Sequence, residues 1–233
     1  MSVCADPYNT LVVMGDESGL SVIECPLSNL WPFPFLYRLQ QRGAIVSFAE
    51  KWALETKQPV DDIDLANKST FLCIHQHATS CLQFERFHEI HPLRLAAAVV
   101  FSDGKVETAW QLKGIEYGCT LDPVSQLVSH IERRREATGI QLCQLCFSSK
   151  LSIDFELSTV SAPVEPVALV MTDQFGVCHA PFAQARSLLV EHGYGSVTVF
   201  VHDAEGKLNA VKASELLPVP PGNAKFLSHD DFV

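Results

Sequence analysis

Leu95-Ala96-Ala97-Ala98-Val99-Val100-Phe101-Ser102-Asp103-Gly104-Lys105-Val106-Glu107-Thr108-Ala109-Trp110 is the stretch on which the fold turns. An apolar run from Leu95 to Phe101 meets Ser102-Asp103-Gly104, residues that favour a tight turn, and a second run follows. The reading is a β-hairpin. Outward from it, 10–14 and 20–24 read as strands around the acidic, Gly-bounded turn 15–19, and 70–75 and 81–87 as strands around another polar turn. Segments 140–147, 151–157, 167–172 and 196–201 complete the expected strands.

Helical spacing is strongest from Asp122. Asp122 suits a cap, Pro123 suits the first helical position, and Val124, Leu127, Val128 and Ile131 fall at i, i+3, i+4 and i+7. Arg133, Arg134 and Arg135 lie where a helix dipole favours cations, and Gly139 reads as the stop. A second helix is expected over 181–192, burying Phe182, Ala185 and Leu189 and ending at Gly193. The order strand, turn, strand, apolar segment occurs twice, over 11–41 (with an apolar segment at 31–39) and over 95–135, which suggests an internal duplication as well as chance recurrence. Residues 58–69 read as a surface loop, and the Pro-rich tail from Pro218 as extended chain.

A net charge of −10 argues against gripping bare nucleic acid, which needs a basic surface. The Arg133–Arg135 run is the one local exception, and it reads first as a solvated helix end. No apolar run approaches the roughly 20 residues that span a bilayer. Residues 1–10 carry Asp6 and no Lys or Arg, so neither a signal peptide nor an Arg-rich leader is expected. The eight cysteines sit mostly in apolar segments and read as reduced, buried, small hydrophobes.

The segment 96–106 resembles the opening hairpin of cytidine deaminases. In that family the hairpin leads into an Asn-x-Glu-Asn stretch, a Tyr, and a zinc-binding helix. Here Trp110-Gln111-Leu112-Lys113-Gly114-Ile115-Glu116-Tyr117 follows, then Thr120-Leu121-Asp122-Pro123-Val124. Val167-Ala168-Leu169-Val170-Met171-Thr172-Asp173 is similar to the strand before the family's Pro-Cys-x-x-Cys-Arg helix. That helix corresponds to Pro181-Phe182-Ala183-Gln184-Ala185-Arg186, and Ser214-Glu215-Leu216-Leu217-Pro218 to the closing Glu-Leu-Leu-Pro. The resemblance implies a three-layer α/β/α deaminase-like domain with a mixed sheet over 93–220. An N-terminal α/β extension (1–92) that packs onto it, with the reading of a truncated repeat, precedes it. A tail (221–233) follows. Residues 140–164 read as an inserted strand pair.

The functional positions are where the resemblance fails. Deaminase chemistry needs three Cys or His ligands holding zinc with one coordination site open, and a Glu to carry the proton. By the resemblance the first ligand position is Asp122, the Glu position Val124, and the paired cysteine positions Phe182 and Ala185. Phe182 and Ala185 offer no donor atom, and Val124 cannot move a proton. The sugar-holding Asn and Glu correspond to Gln111 and Lys113, the latter inverting the charge. A degenerate copy of this kind sits beside the catalytic one in two-domain bacterial cytidine deaminases, where it serves architecture.

Other sites are weaker. Cys73, His75, His77 and Cys81, with His88 and His91 beyond, form the alternative metal cluster, since 73, 75 and 77 would share a face on a strand. Their spacing fits no common zinc pattern, and core cysteines with rim histidines is the plainer reading. Cys143 and Cys146 have knuckle spacing without a second pair, and on a strand they point to opposite faces. Cys178-His179 is a sequence neighbour pair, which rarely forms a nucleophile–base bond. The expectation is a catalytically inactive pseudoenzyme without zinc or other cofactor, a structural subunit or interaction protein. Its partner is a protein or a second copy, with an active cytidine or tRNA-type deaminase homologue first and a ribonucleoprotein, through protein contacts, second. No direct nucleic acid or membrane contact is expected, and the compartment is intracellular, the cytoplasm favoured and the mitochondrion left open. The other readings are a nucleotide-binding regulatory module and an enzyme using the 73–91 cluster.

Overall fold

The computed structural model describes residues 10–15, 22–37, 39–63, 65–87, 89–115, 120–148 and 164–217. In chain order these form β1 (Leu11–Gly15), β2 (Val22–Pro26), the one-turn α1 (Leu27–Leu30), α2 (Ile45–Glu55) and α3 (Lys68–Cys81). Then come β3 (Leu95–Phe101), β4 (Val106–Trp110), α4 (Pro123–Ser148), β5 (Pro166–Asp173), α5 (Ala183–Glu191), β6 (Thr198–His202) and β7 (Leu208–Lys212). Short 3-10 turns occupy Val60–Asp62, Leu82–Phe84 and Ala213–Leu216.

The decisive hairpin is present. β3 pairs antiparallel with β4, Ala97 facing Ala109, and Gly104 at φ +79° takes the left-handed conformation the turn requires. On its other side β3 pairs antiparallel with β5, which runs parallel to β6, and β6 pairs antiparallel with β7. The result is a five-stranded mixed sheet of order β4-β3-β5-β6-β7. β1 and β2 form a separate two-stranded sheet.

Side chains alternate across a strand, and here both faces are apolar, so both need a helical cover. Ala97, Val99, Phe101, Leu169, Met171, Val199 and Val201 face one layer, packed against Val124, Leu127, Val128 and Ile131 of α4 and Ala185 and Leu189 of α5. The intervening Ala98, Ala168, Val170 and Phe200 face the other, under Phe71, Ile74 and Ala78 of α3. Each fully buried Leu, Val or Phe contributes about 1.5–3 kcal/mol of transfer free energy. Three layers, α/β/α, follow from two apolar faces.

Several sequence expectations are corrected. Residues 70–75 and 81–87 are not strands: α3 covers Lys68–Cys81 and a 3-10 turn follows. Phe71, Ile74, Ala78 and Cys81 are its buried stripe, at 3.6-residue spacing. Residues 140–147 are helical too, since α4 continues through Gly139 to Ser148; one internal glycine costs a helix only about 1 kcal/mol. Segment 151–157 lies outside the described residues. Residues 31–37 form no regular element, and α2 and β7 are additional. Among the described residues no helix is long and apolar enough to cross a membrane.

Candidate functional site

The positions that a deaminase-like site would use lie where α4 and α5 begin. Asp122 precedes α4 and is buried. Its Oδ1 accepts from the backbone N–H groups of Val124 and Ser125, each at 2.9 Å, and its Oδ2 from the Ser125 hydroxyl. This is helix capping, with both oxygens committed to otherwise unpaired donors. Val124 and Ala185 are fully buried in the core cluster of the α4/α5 face. Phe182, at the N-cap of α5, is half-buried and bridges that cluster to the one formed by α2, Tyr37 and Val177.

Zinc needs nitrogen, sulfur or free carboxylate donors at fixed short distances. Phe182, Ala185 and Val124 supply none, and Asp122 already holds three hydrogens. These residues do not fit the metal.

Lys113 is also turned inward. Its Nζ donates to Glu85 Oε2 at 2.7 Å and to the His91 carbonyl at 2.5 Å, and the two side chains are 1% and 0% exposed. Burial pushes the Lys113 ammonium down and Glu85 pulls it back up. Gln111 continues the β4 edge, its N–H donating to the Leu95 carbonyl. Lys113 Nζ is thus taken up by Glu85 and the His91 carbonyl, while Gln111 bonds the β3 backbone.

A polar centre that sequence reasoning missed lies beside Phe182. Asp173, at the end of β5, accepts from Tyr37 Oη at 2.9 Å and His179 Nε2 at 3.0 Å on Oδ2, and from the Phe175 and Val177 N–H groups on Oδ1. Burial raises the Asp173 pKa, but the His179 bond and charge, with these donors, hold it below the usual carboxylate value. The Asp173 Oδ2 contact with Nε2 fixes the orientation of the His179 ring. His179 Nδ1 is buried with no hydrogen-bond partner. The Phe35 ring lies 4.9 Å from the His179 ring and 5.6 Å from that of Phe182.

Arg186, which keeps the arginine of the resembling motif, is buried. It donates to the carbonyls of Pro181, Pro32, Leu216 and Phe33 at 2.6–3.0 Å, and its guanidinium stacks 4.1 Å over Trp31. Burial pushes its pKa down to about 10. Most of these partners come from residues 31–37, some 150 positions away, so no local pattern could announce them.

The other candidates read from the sequence separate. Because 68–81 is helical, Cys73, His75 and His77 do not share one face: Cys73 and His77 are exposed, His75 is half-buried and Cys81 is buried. His75 Nε2 lies 3.3 Å from the Gly176 carbonyl and 3.4 Å from Thr172 Oγ1. His91 Nδ1 instead accepts from the Leu93 N–H at 3.3 Å. His88 lies outside the described residues. Among the described residues no three His, Cys, Asp or Glu side chains gather as a metal site. Cys143 and Cys146 lie on a helix rather than a strand. Burial pushes the Cys178 thiol far up, which is the wrong direction for a nucleophile. Arg134 bonds Asp103 at 2.8 Å and lies over the Phe101 ring, so this arginine faces protein.

No protein-family model matches the chain, and no curated protein matches it. Among solved structures it is similar to the cytidine deaminase of Mycobacterium leprae, with 15% identity over 67% of this chain and 100% of that one, at a TM-score of 0.44. It is similar to the Mycobacterium tuberculosis cytidine deaminase at 20% identity, covering 68% and 99%, TM-score 0.41. The Burkholderia pseudomallei cytidine deaminase matches at 18% identity, covering 64% and 98%, TM-score 0.43.

Proposed function

We propose that this chain is a catalytically inactive, deaminase-like protein that serves as a structural or interaction subunit of an oligomer or larger assembly. One observation carries the reading. At the starts of α4 and α5, the four positions that need three metal donors and a proton carrier hold a capping Asp122, a core Val124 and Ala185, and an aromatic Phe182. Each has taken a role in capping or packing that chemistry would have to displace.

The sequence segments that resemble the family support it, since they fall on elements in the same order. Residues 96–106 span the β3–β4 turn, Asp122-Pro123 opens α4, 167–173 lie within β5, 181–186 open α5, and 214–216 lie in the closing 3-10 turn. Lys113 speaks against a retained nucleoside pocket, because its ammonium is already neutralised by Glu85 in the interior. With the chemistry gone, what selection can maintain is a surface. The favoured partner is an active deaminase homologue, followed by a ribonucleoprotein reached through protein contacts.

Light scattering on the protein sized in native extract tests this. The expected result is a stable assembly, with itself or with a larger partner. A strict monomer that binds a pyrimidine nucleoside at micromolar affinity would overturn the reading in favour of a nucleotide sensor.

A further inference from the structure

Residues 31–37 run without regular structure past the loop that follows β5 and the start of α5, where they cover the polar centre beside Phe182. Trp31 stacks on Arg186, the Pro32 and Phe33 carbonyls accept from it, Phe35 packs on His179 and Phe182, and Tyr37 bonds Asp173. Three unfavourable features meet on this one segment. Phe33 sits at φ +49°, a conformation that a bulky residue adopts only under constraint. Arg186 is buried with carbonyl partners only, and no carboxylate among the described residues pairs with it. His179 Nδ1 is buried and unpartnered.

Lifting the segment gives up the Tyr37–Asp173 bond and two of the carbonyl bonds to Arg186, and relief of these three features offsets part of that cost. Phe33 relaxes, water reaches the Arg186 guanidinium, and water hydrogen-bonds His179 Nδ1. Nothing comparable is regained by lifting a strand of the sheet, whose polar groups are paired in the ladder. Parts of a fold can open locally at a free energy below that of global unfolding.

We propose that residues 31–37 are a latch, held by the Arg186 clasp, that opens while the sheet stays folded and so uncovers His179 and Arg186. This is independent of whether the chain is an active deaminase. It makes the Arg186 guanidinium and the His179 ring intermittently available at a site that the closed structure hides.

Site-resolved chemical labelling of the wild-type full chain tests it. A dicarbonyl reagent reports Arg186, and a thiol reagent reports Cys178, fully buried on the α3 face, each read by mass spectrometry and normalised to the unfolded chain. The expected result is that Arg186 is protected at least tenfold less than Cys178, with a weaker dependence on denaturant. Equal protection and equal denaturant dependence would mean that 31–37 leaves only with the whole fold, and would overturn the latch. A Phe35→Leu variant adds a second reading: Arg186 labelling should rise about tenfold with Cys178 unchanged, whereas a parallel rise of both contradicts the proposal. Should that variant not fold, the wild-type comparison decides alone.

Discussion

Lys113 is a cation held in the interior. An ammonium offers only donors, where the resemblance implies a sugar-binding carboxylate. Here it turns inward to Glu85, with both side chains essentially unexposed. Glu85 is held in turn, its Oε1 accepting from the Phe87 N–H at 2.8 Å. Removing one partner of such a pair strands a buried charge, which costs about 3–5 kcal/mol, whereas replacing both by apolar groups is often near neutral. Lys113→Met should therefore lower stability by that amount in urea denaturation. Lys113→Met combined with Glu85→Leu should recover most of the loss. Destabilisation by the double variant equal to the sum of the Lys113→Met and Glu85→Leu single effects would show that the pair is not coupled. The residues that the proposed reading sets at deaminase positions are legible because they lie in local motifs. The pairings of Lys113 with Glu85 and of Arg186 with residues 31–37 are not, since each depends on chain brought from elsewhere.

At the scale of elements, β3, β5 and β6 were readable because a strand buried on both faces is a short apolar run bounded by turns. Residues 70–75 read as a strand, although α3 covers them, for a physical reason. Phe71-Leu72-Cys73-Ile74 looks like a strand when taken alone, and only the wider spacing Phe71, Ile74, Ala78, Cys81 reveals the helix. The correction matters for titration. The α3 histidine His75 and the β6 histidine His202 both sit close to the loop that follows β5, with Lys57 and His179 nearby. His202 Nδ1 accepts the Cys178 N–H at 2.8 Å, while the His202 backbone N–H donates to the Cys178 carbonyl at 2.9 Å. Accepting on Nδ1 requires a neutral imidazole. Burial first, then the neighbouring cations, push His202 from the ordinary 6.5 down to about 3, and burial lowers His75 as well. The unfolded chain therefore binds more protons than the folded one below about pH 6.5. Stability should be level above pH 7 and fall progressively as the pH drops from 6.5 toward 3. Thermal melts across that range check it, and His202→Asn, which keeps an acceptor without titrating, should flatten the acid limb. An unchanged limb in that variant would assign the loss to other groups, the low-pKa Asp173 first.

At the scale of the molecule, a mixed sheet is covered by helices on both faces. At the starts of α4 and α5 the chain presents a cap and core packing, and residues 31–37 cover the neighbouring polar centre. That Phe182, Ala185 and Val124 offer no donor atom is legible in the sequence. Their surroundings are not, because Phe35 and Tyr37 come from outside the motif. The most direct test of catalytic inactivity is ammonia release from cytidine and deoxycytidine by the purified chain with zinc supplied. The expected result is no release above the buffer rate, since Val124 has no proton to give and Phe182 and Ala185 no donor to bind. Zinc-dependent turnover that Asp122→Ala abolishes, in protein that remains folded, would contradict the account.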